Sequence, residues 1–206
     1  VQVVFGIKAH SGWAALVALG RSAPDAWTLV DRRRLDLLIP EEMAWAKQPY
    51  HAAEGLSPGD AKRLIARARR AARRGAERAL RVAAESTHEA GHTIAACAVL
   101  SGAPMPSWSV EEIRAVHMRM HQAEGALFRD LLAGAAARRG LRVIAVPEKT
   151  LGERARRALG IRHAAVVEAL ERLGKAAGPP WGKDQKDAAL AAVLSCCFPP
   201  YKPLGT

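Results

Sequence analysis

His117, His121 and Glu124 stand four and three residues apart, with Phe128 a further four along. On a helix such spacing gathers all of them on one face. Two imidazoles and a carboxylate so arranged could ligate a metal or move a proton. The plainer alternative is a polar face at a helix end, with one ring held by a carbonyl. Asp184 and Asp187 form a second candidate, three residues apart ahead of an Ala-rich run. Two carboxylates on one helical turn could bind a hard cation such as Mg²⁺ or Mn²⁺, though weakly. They also suit an ordinary helix N-terminus, where aspartate favours the dipole. A third candidate is His88-Glu89-Ala90-Gly91-His92, which matches the zinc-peptidase pattern His-Glu-x-x-His. That pattern requires both histidines on one face of a continuous helix. Gly91 is expected to end the helix before His92, and no clear third ligand follows, so zinc is not the expected cofactor. A helix running on to Leu100 would restore the zinc-metallopeptidase reading.

A different chemistry is signalled between residues 62 and 81, which hold nine Lys or Arg and one acid, Glu77. Lys62, Arg63, Arg67, Arg70, Arg74 and Arg78 spread over half of a helix, and Leu64, Ile65, Ala68, Ala72, Ala76, Ala79 and Ala83 form its core-facing half. Together with Arg119, these bases are candidates for phosphate contact. A solvated arginine face is the alternative. No aromatic residue interleaves them, so base stacking on single strands is not indicated. The formal charge of +11 over 206 residues favours an anionic partner, DNA or RNA. Cys97, Cys196 and Cys197 are an odd, irregularly spaced set, which argues against a disulfide framework and for a reducing compartment. No stretch has the length of a membrane span and no leader pattern is seen, so a cytoplasmic protein without membrane partners is expected.

The elements that must position these residues follow from apolar periodicity and turn residues. Strands are expected at 1–8, 13–19 and a kinked 27–38, joined by tight turns into an antiparallel meander. Residues 39–59, rich in Pro and Gly, read as a long loop of the kind that often carries function. Asp60 is a plausible cap for a basic helix over 60–90. Strands at 93–100 and 141–146 alternate with a helix over 110–139, capped by Ser107 or Ser109, and Pro147 ends the second of them. Helices at 151–159, 162–173 and 183–194 complete the order. An α/β protein follows, in three layers, with a mixed five-stranded sheet of three antiparallel and then two parallel strands, flanked by helices. A single domain over 1–197 and a Pro-rich tail over 198–206 are expected. An echo between His51-Ala-Ala-Glu54-Gly and His121-Gln-Ala-Glu124-Gly is set aside as chance.

Three segments carry a resemblance to a known family. Val4-Phe5-Gly6-Ile7-Lys8, followed by Gly12-Trp13-Ala14, resembles the first hairpin of RuvC-like resolvases, an apolar strand ending Gly-Ile-Asp and then Gly-Trp-Ala. Asp184-Gln-Lys-Asp187-Ala-Ala-Leu-Ala resembles their last helix, which opens Asp-x-x-Asp-Ala-Leu. Between them, Glu124-Gly-Ala-Leu through Gly140-Leu-Arg-Val-Ile-Ala-Val-Pro147 is similar to their helix, turn and fifth strand. The chain thus resembles the RuvC branch of the RNase H-like superfamily. The resemblance implies acidic residues that hold Mg²⁺ to activate water and steady the leaving oxygen. Two positions depart from it. Lys8 stands at the first acid, and the fourth strand ends Leu100-Ser101-Gly102 where a glutamate is expected nearby. The leading expectation is a nucleic-acid-binding protein that lacks the standard two-metal site, with Lys8 on phosphate. The alternative is a metal-dependent nuclease or phosphoryl-transfer enzyme that uses a rearranged set of His117, His121, Glu124, Asp184 and Asp187. An assembly role that uses the fold only as a scaffold is a further possibility. The decisive observation is whether Lys8 and these residues converge at one edge of the sheet.

Overall fold

A computed structural model describes residues 1–23 and 26–195. The chain opens with three consecutive strands, β1 (Gln2–His10), β2 (Trp13–Ala23) and β3 (Ala26–Asp36). Gly12, at φ +86°, makes the tight turn between the first two, a conformation that glycine alone adopts without strain. β3 is one strand across Asp31-Arg32-Arg33-Arg34, where the sequence suggests a kink. It lies at the edge of the sheet, where its backbone pairs with β2 on one side and its charged side chains are half-buried or exposed, Arg32 donating to the Gly178 and Pro180 carbonyls. The irregularity expected there appears instead as a register shift opposite Ala18 and Leu19 of β2.

The segment read as a long loop contains two short helices, α1 (Pro40–Ala46) and α2 (Pro49–Ala52). Each starts on a proline, whose fixed φ and missing N–H suit the first helical position. Pro58 does the same for α3 (Pro58–Glu89), whose cap is Ser57 rather than Asp60. The Ser57 hydroxyl accepts the Asp60 N–H and donates to the Asp60 carboxylate. The buried side of α3 is mostly alanine, from Ala61 to Ala84, and Gly91 at φ +78° stops the chain's helical path. Next come β4 (Thr93–Ser101), α4 (Val110–Arg114) and α5 (His117–Arg138). Ser109 and Glu112 cap α4 reciprocally. The helix expected over 110–139 breaks at Val116, whose backbone is extended (φ −136°, ψ 115°). The break lets Ile113 pack with Tyr50, Ala53 and Met120, and Arg119 takes up the Glu112 carbonyl released by it. β5 (Val143–Pro147), α6 (Leu151–Leu159), a short 3-10 turn, α7 (His163–Ala177) and α8 (Lys183–Leu194) complete the described chain. The tail expected over 198–206, with Cys196 and Cys197, lies outside the described residues.

The sheet runs β3-β2-β1-β4-β5. β1–β2 and β2–β3 are antiparallel; β1–β4 and β4–β5 are parallel. This is the mixed five-stranded α/β arrangement that the strand order implies. Strand alternation divides the core in two. Val3, Phe5, Ile7 and Leu16 face α3 and α5 with Phe128 and Leu132. Val17, Leu19, Ala98, Leu100 and Ile144 face α6, α7 and α8. Gly6 falls on the α8 side, where a Cβ would lie 1.8 Å from the Ala188 carbonyl oxygen. Helix and strand backbones therefore meet there with no side chain between them. No helix among the described residues is long and apolar enough to cross a membrane.

Candidate functional site

Lys8 follows Val4 and Gly6 in the alternation of β1, so it emerges on the α8 face near the end of the strand. Its ammonium has three N–H donors and meets three carboxylates. Nζ lies 2.7 Å from Asp187 Oδ2, 3.1 Å from Glu148 Oε1 and 3.3 Å from Asp184 Oδ1. Asp184 and Asp187 come from the first turns of α8, which the contact at Gly6 presses against β1. Glu148 comes from the residue after β5, where its N–H bonds the Ser101 carbonyl and continues the ladder. Lys183 adds a second ammonium, 2.6 Å from Asp187 Oδ2. His10 Nε2 lies 3.1 Å from Asp184 Oδ2, without hydrogen-bond alignment, and its ring stacks on Trp13.

Burial disfavours the charge on Lys8, which is only 6% exposed. The hydrogen bonds of Asp187 and Glu148 outweigh it and raise the lysine pKa well above its ordinary value. Asp187 shows the converse: burial opposes its charge, but Lys183 and Lys8 hold its carboxyl below the usual range. Both groups stay ionised across neutral pH, and each fixes the other's charge state.

Lys8, only 6% exposed, turns its ammonium to three carboxylates and not to solvent. Nor does the set fit Mg²⁺ or Mn²⁺, because the ammonium fills the point on which Asp184, Asp187 and Glu148 converge. A hard divalent ion needs those oxygens at about 2.0–2.1 Å and free of a competing cation. Glu148 escaped the sequence reading, although its signal was present: it is the first acid beyond the strand that ends at Pro147, on the edge that Lys8 occupies.

On the opposite face of the sheet, His117 and His121 begin α5, and Glu124 lies beneath α2. Glu124 is 2% exposed and its carboxylate is fully engaged. It accepts the Tyr50 and His51 backbone N–H groups at 3.0 and 3.2 Å, and both of its oxygens lie 2.9 Å from His51 Nδ1. His51 thereby joins the pair on α5, with ring centroids 5.1 Å from His117 and 4.6 Å from His121. His117 Nε2 and His121 Nε2 are 3.0 Å apart. The only sequence sign of His51 was the echo of the His121 segment. Glu54, the other half of that echo, is exposed.

The five residues of the rearranged site thus fall into two sets. Among the described residues, no hydrogen bond, ion pair or ring contact joins His117, His121 and Glu124 to Asp184 and Asp187. The His-Glu-x-x-His segment also lacks its required geometry. α3 ends at Glu89, and His92 lies beyond Gly91 with its N–H bonded to the Thr87 carbonyl.

The basic candidates line α3 in a mixed-charge setting. Lys62 pairs with Glu111 at 2.9 Å, Arg63 with Asp60, and Arg74 with Glu42 at 3.2 Å. Arg67 lies over the Trp45 ring and Arg119 over Trp108. Arg70 and Arg78 are exposed. Arg74 and Arg78 line a shallow groove with Arg81, Arg138, Arg139 and Glu77, between α3 and the end of α5.

No family model matches the sequence, and no curated protein matches it significantly. Solved structures do resemble it. T. thermophilus RuvC in complex with a Holliday junction substrate superposes with a TM-score of 0.53 at 15% identity, covering 97% of this chain and 99% of that one. A second Thermus thermophilus RuvC structure gives 0.51 at the same identity and coverage. Topology and full-length superposition agree: the chain has the RuvC-like form of the RNase H-like fold.

Proposed function

We propose that this chain is a nucleic-acid-binding protein in which a fixed ammonium takes the place of the metal at the carboxylate edge of a RuvC-like fold. The observation that carries this reading is the Lys8 tripod with Asp184, Asp187 and Glu148. Three bare carboxylates repel a phosphate backbone. Here Lys8 and Lys183 offset most of that charge from within, so a backbone can approach without a bound ion. The phosphate contacts themselves are assigned to Lys62, Arg63, Arg67, Arg70, Arg74 and Arg78 on α3 and to Arg119. Several of these are held only in exposed ion pairs, which are worth about 0–1 kcal/mol and exchange readily for phosphate. The neighbour bound to a Holliday junction makes branched DNA the first ligand to try.

The test is a filter-binding series with four-way junction, duplex DNA and duplex RNA from low to high salt, run beside a cleavage assay with Mg²⁺ or Mn²⁺. Binding that weakens steeply with salt, with no cleavage, is expected. Absence of binding to all three ligands at low salt would sink the proposal. Metal-dependent cleavage that disappears in Asp187→Asn would replace it with the nuclease reading.

A further inference from the structure

We propose that His51, His117 and His121 form a binding site for a late first-row divalent transition ion, with Zn²⁺ as the reference. One nitrogen of each ring lies within 4.8 Å of the corresponding atoms of the other two. Beyond this proximity, the hydrogen bonding of His51 leaves one of its ring nitrogens in need of a partner. Glu124 brings both oxygens to 2.9 Å from His51 Nδ1. A carboxylate accepts only, so Nδ1 carries the proton, and in the neutral ring Nε2 then carries a lone pair. That Nε2 is buried and has no hydrogen-bond partner. A buried acceptor left without a donor is destabilising by about 1–3 kcal/mol, and a cation in the cluster removes that deficit.

The second pair has the same need. His117 and His121 present Nε2 atoms to each other 3.0 Å apart, so only one of the two can carry a proton between them. A metal accepts both lone pairs. Tetrahedral zinc with bonds of about 2.0–2.1 Å sets its nitrogen donors roughly 3.3–3.4 Å apart, close to the spacing this pair already has. His117 and His121 are exposed and free to adjust. His51 is the fixed member, because Glu124 is itself locked by two backbone N–H groups. A carboxylate on the far nitrogen of a ligating imidazole is the usual way such a ring is oriented and made more basic.

The donor set selects the ion. Three imidazoles with no free carboxylate suit zinc, copper, nickel or cobalt, and do not suit Mg²⁺ or Ca²⁺, which take oxygen. Three protein ligands leave a fourth tetrahedral position for water or an anion. This trio is distinct from His88 and His92, and it lies across the sheet from the Lys8 cluster.

The experiment uses the full, tag-free chain, stripped of metal and titrated with Zn²⁺, Co²⁺ and Mg²⁺. One equivalent of Zn²⁺ is expected to bind and to raise the melting temperature, and Co²⁺ should give visible absorption bands of a low-coordinate nitrogen site. Mg²⁺ should do neither. His117→Gln and His121→Gln, both at exposed positions that leave folding intact, should each weaken Zn²⁺ binding at least a hundredfold. Glu124→Gln should weaken it about 10- to 100-fold. His88→Gln should leave it unchanged. No stoichiometric binding, binding that survives both α5 substitutions, or binding lost in His88→Gln would each overturn the proposal.

Discussion

The Lys8 cluster and the His51 cluster lie on opposite faces of one sheet and are complete in opposite senses. In the first, three carboxylates surround a cation that belongs to the chain, and every strong charge has a partner. In the second, a carboxylate is spent on orienting one imidazole, whose Nε2 is buried without a hydrogen-bond partner in a ring packed beside two others. Residue type alone suggests the reverse, since the paired aspartates have the look of a metal site and His51 stands far from its partners in sequence. What decides between a closed and an open site is which donors and acceptors are already satisfied.

The contrast breaks most sharply at Lys8. Lys8→Met leaves three clustered carboxylates without their central cation and should lower stability by about 3–5 kcal/mol, measured by urea denaturation. Lys8→Asp should be at least as unstable alone but should regain stability with excess Mn²⁺, whereas the parent's carboxylate edge should not respond. Failure of Mn²⁺ to rescue Lys8→Asp would show that the ammonium does not hold a metal's place. Next in size is Gly6→Ala. Its Cβ has to displace the Ala188 carbonyl, which should cost about 1–3 kcal/mol and loosen the grip of α8 on Lys8, read as faster amide exchange in the first turns of α8.

The pH dependence sharpens the comparison from the closed side. Lys8 has a folded pKa above its ordinary 10.5, so its contribution is complete below that value and lost as pH rises through the folded one. Asp187 has a folded pKa below its ordinary 3.8, so its contribution is complete above that value and lost as pH falls through the folded one. Stability curves of the parent and Lys8→Met should therefore differ most between those limits and draw together towards either end. The smallest effect is expected at the surface. Lys62→Ala should change stability by no more than about 1 kcal/mol and lower the salt slope of nucleic-acid binding by about one.

Much of this architecture was legible in the chain. Apolar runs and turn glycines place all five strands, and the stop at Gly91 both ends α3 and removes His92 from it. β3 and residues 39–59 were read less well, for physical reasons. An edge strand tolerates Asp31-Arg32-Arg33-Arg34 because these side chains are not fully buried and find partners, Arg32 on the Gly178 and Pro180 carbonyls and Arg33 on Asp31, and Pro40 and Pro49 begin helices as readily as they break them. In the site, Asp184, Asp187 and Lys8 were found because they share motifs with a known family. Glu148 and His51 depend on which strand ends beside which, and on where a short helix settles against α5. Such non-local placements leave no local pattern.

The bare contact of α8 on β1 at Gly6 has a consequence for how the edge behaves as a mechanical object. Two backbones in direct touch cannot close further when a side chain nearby is shortened. The jaws that hold the Lys8 ammonium are therefore set by main chain rather than by the lysine. Exchanging that residue changes what is held between α8 and the sheet while leaving the gap itself at the same gauge.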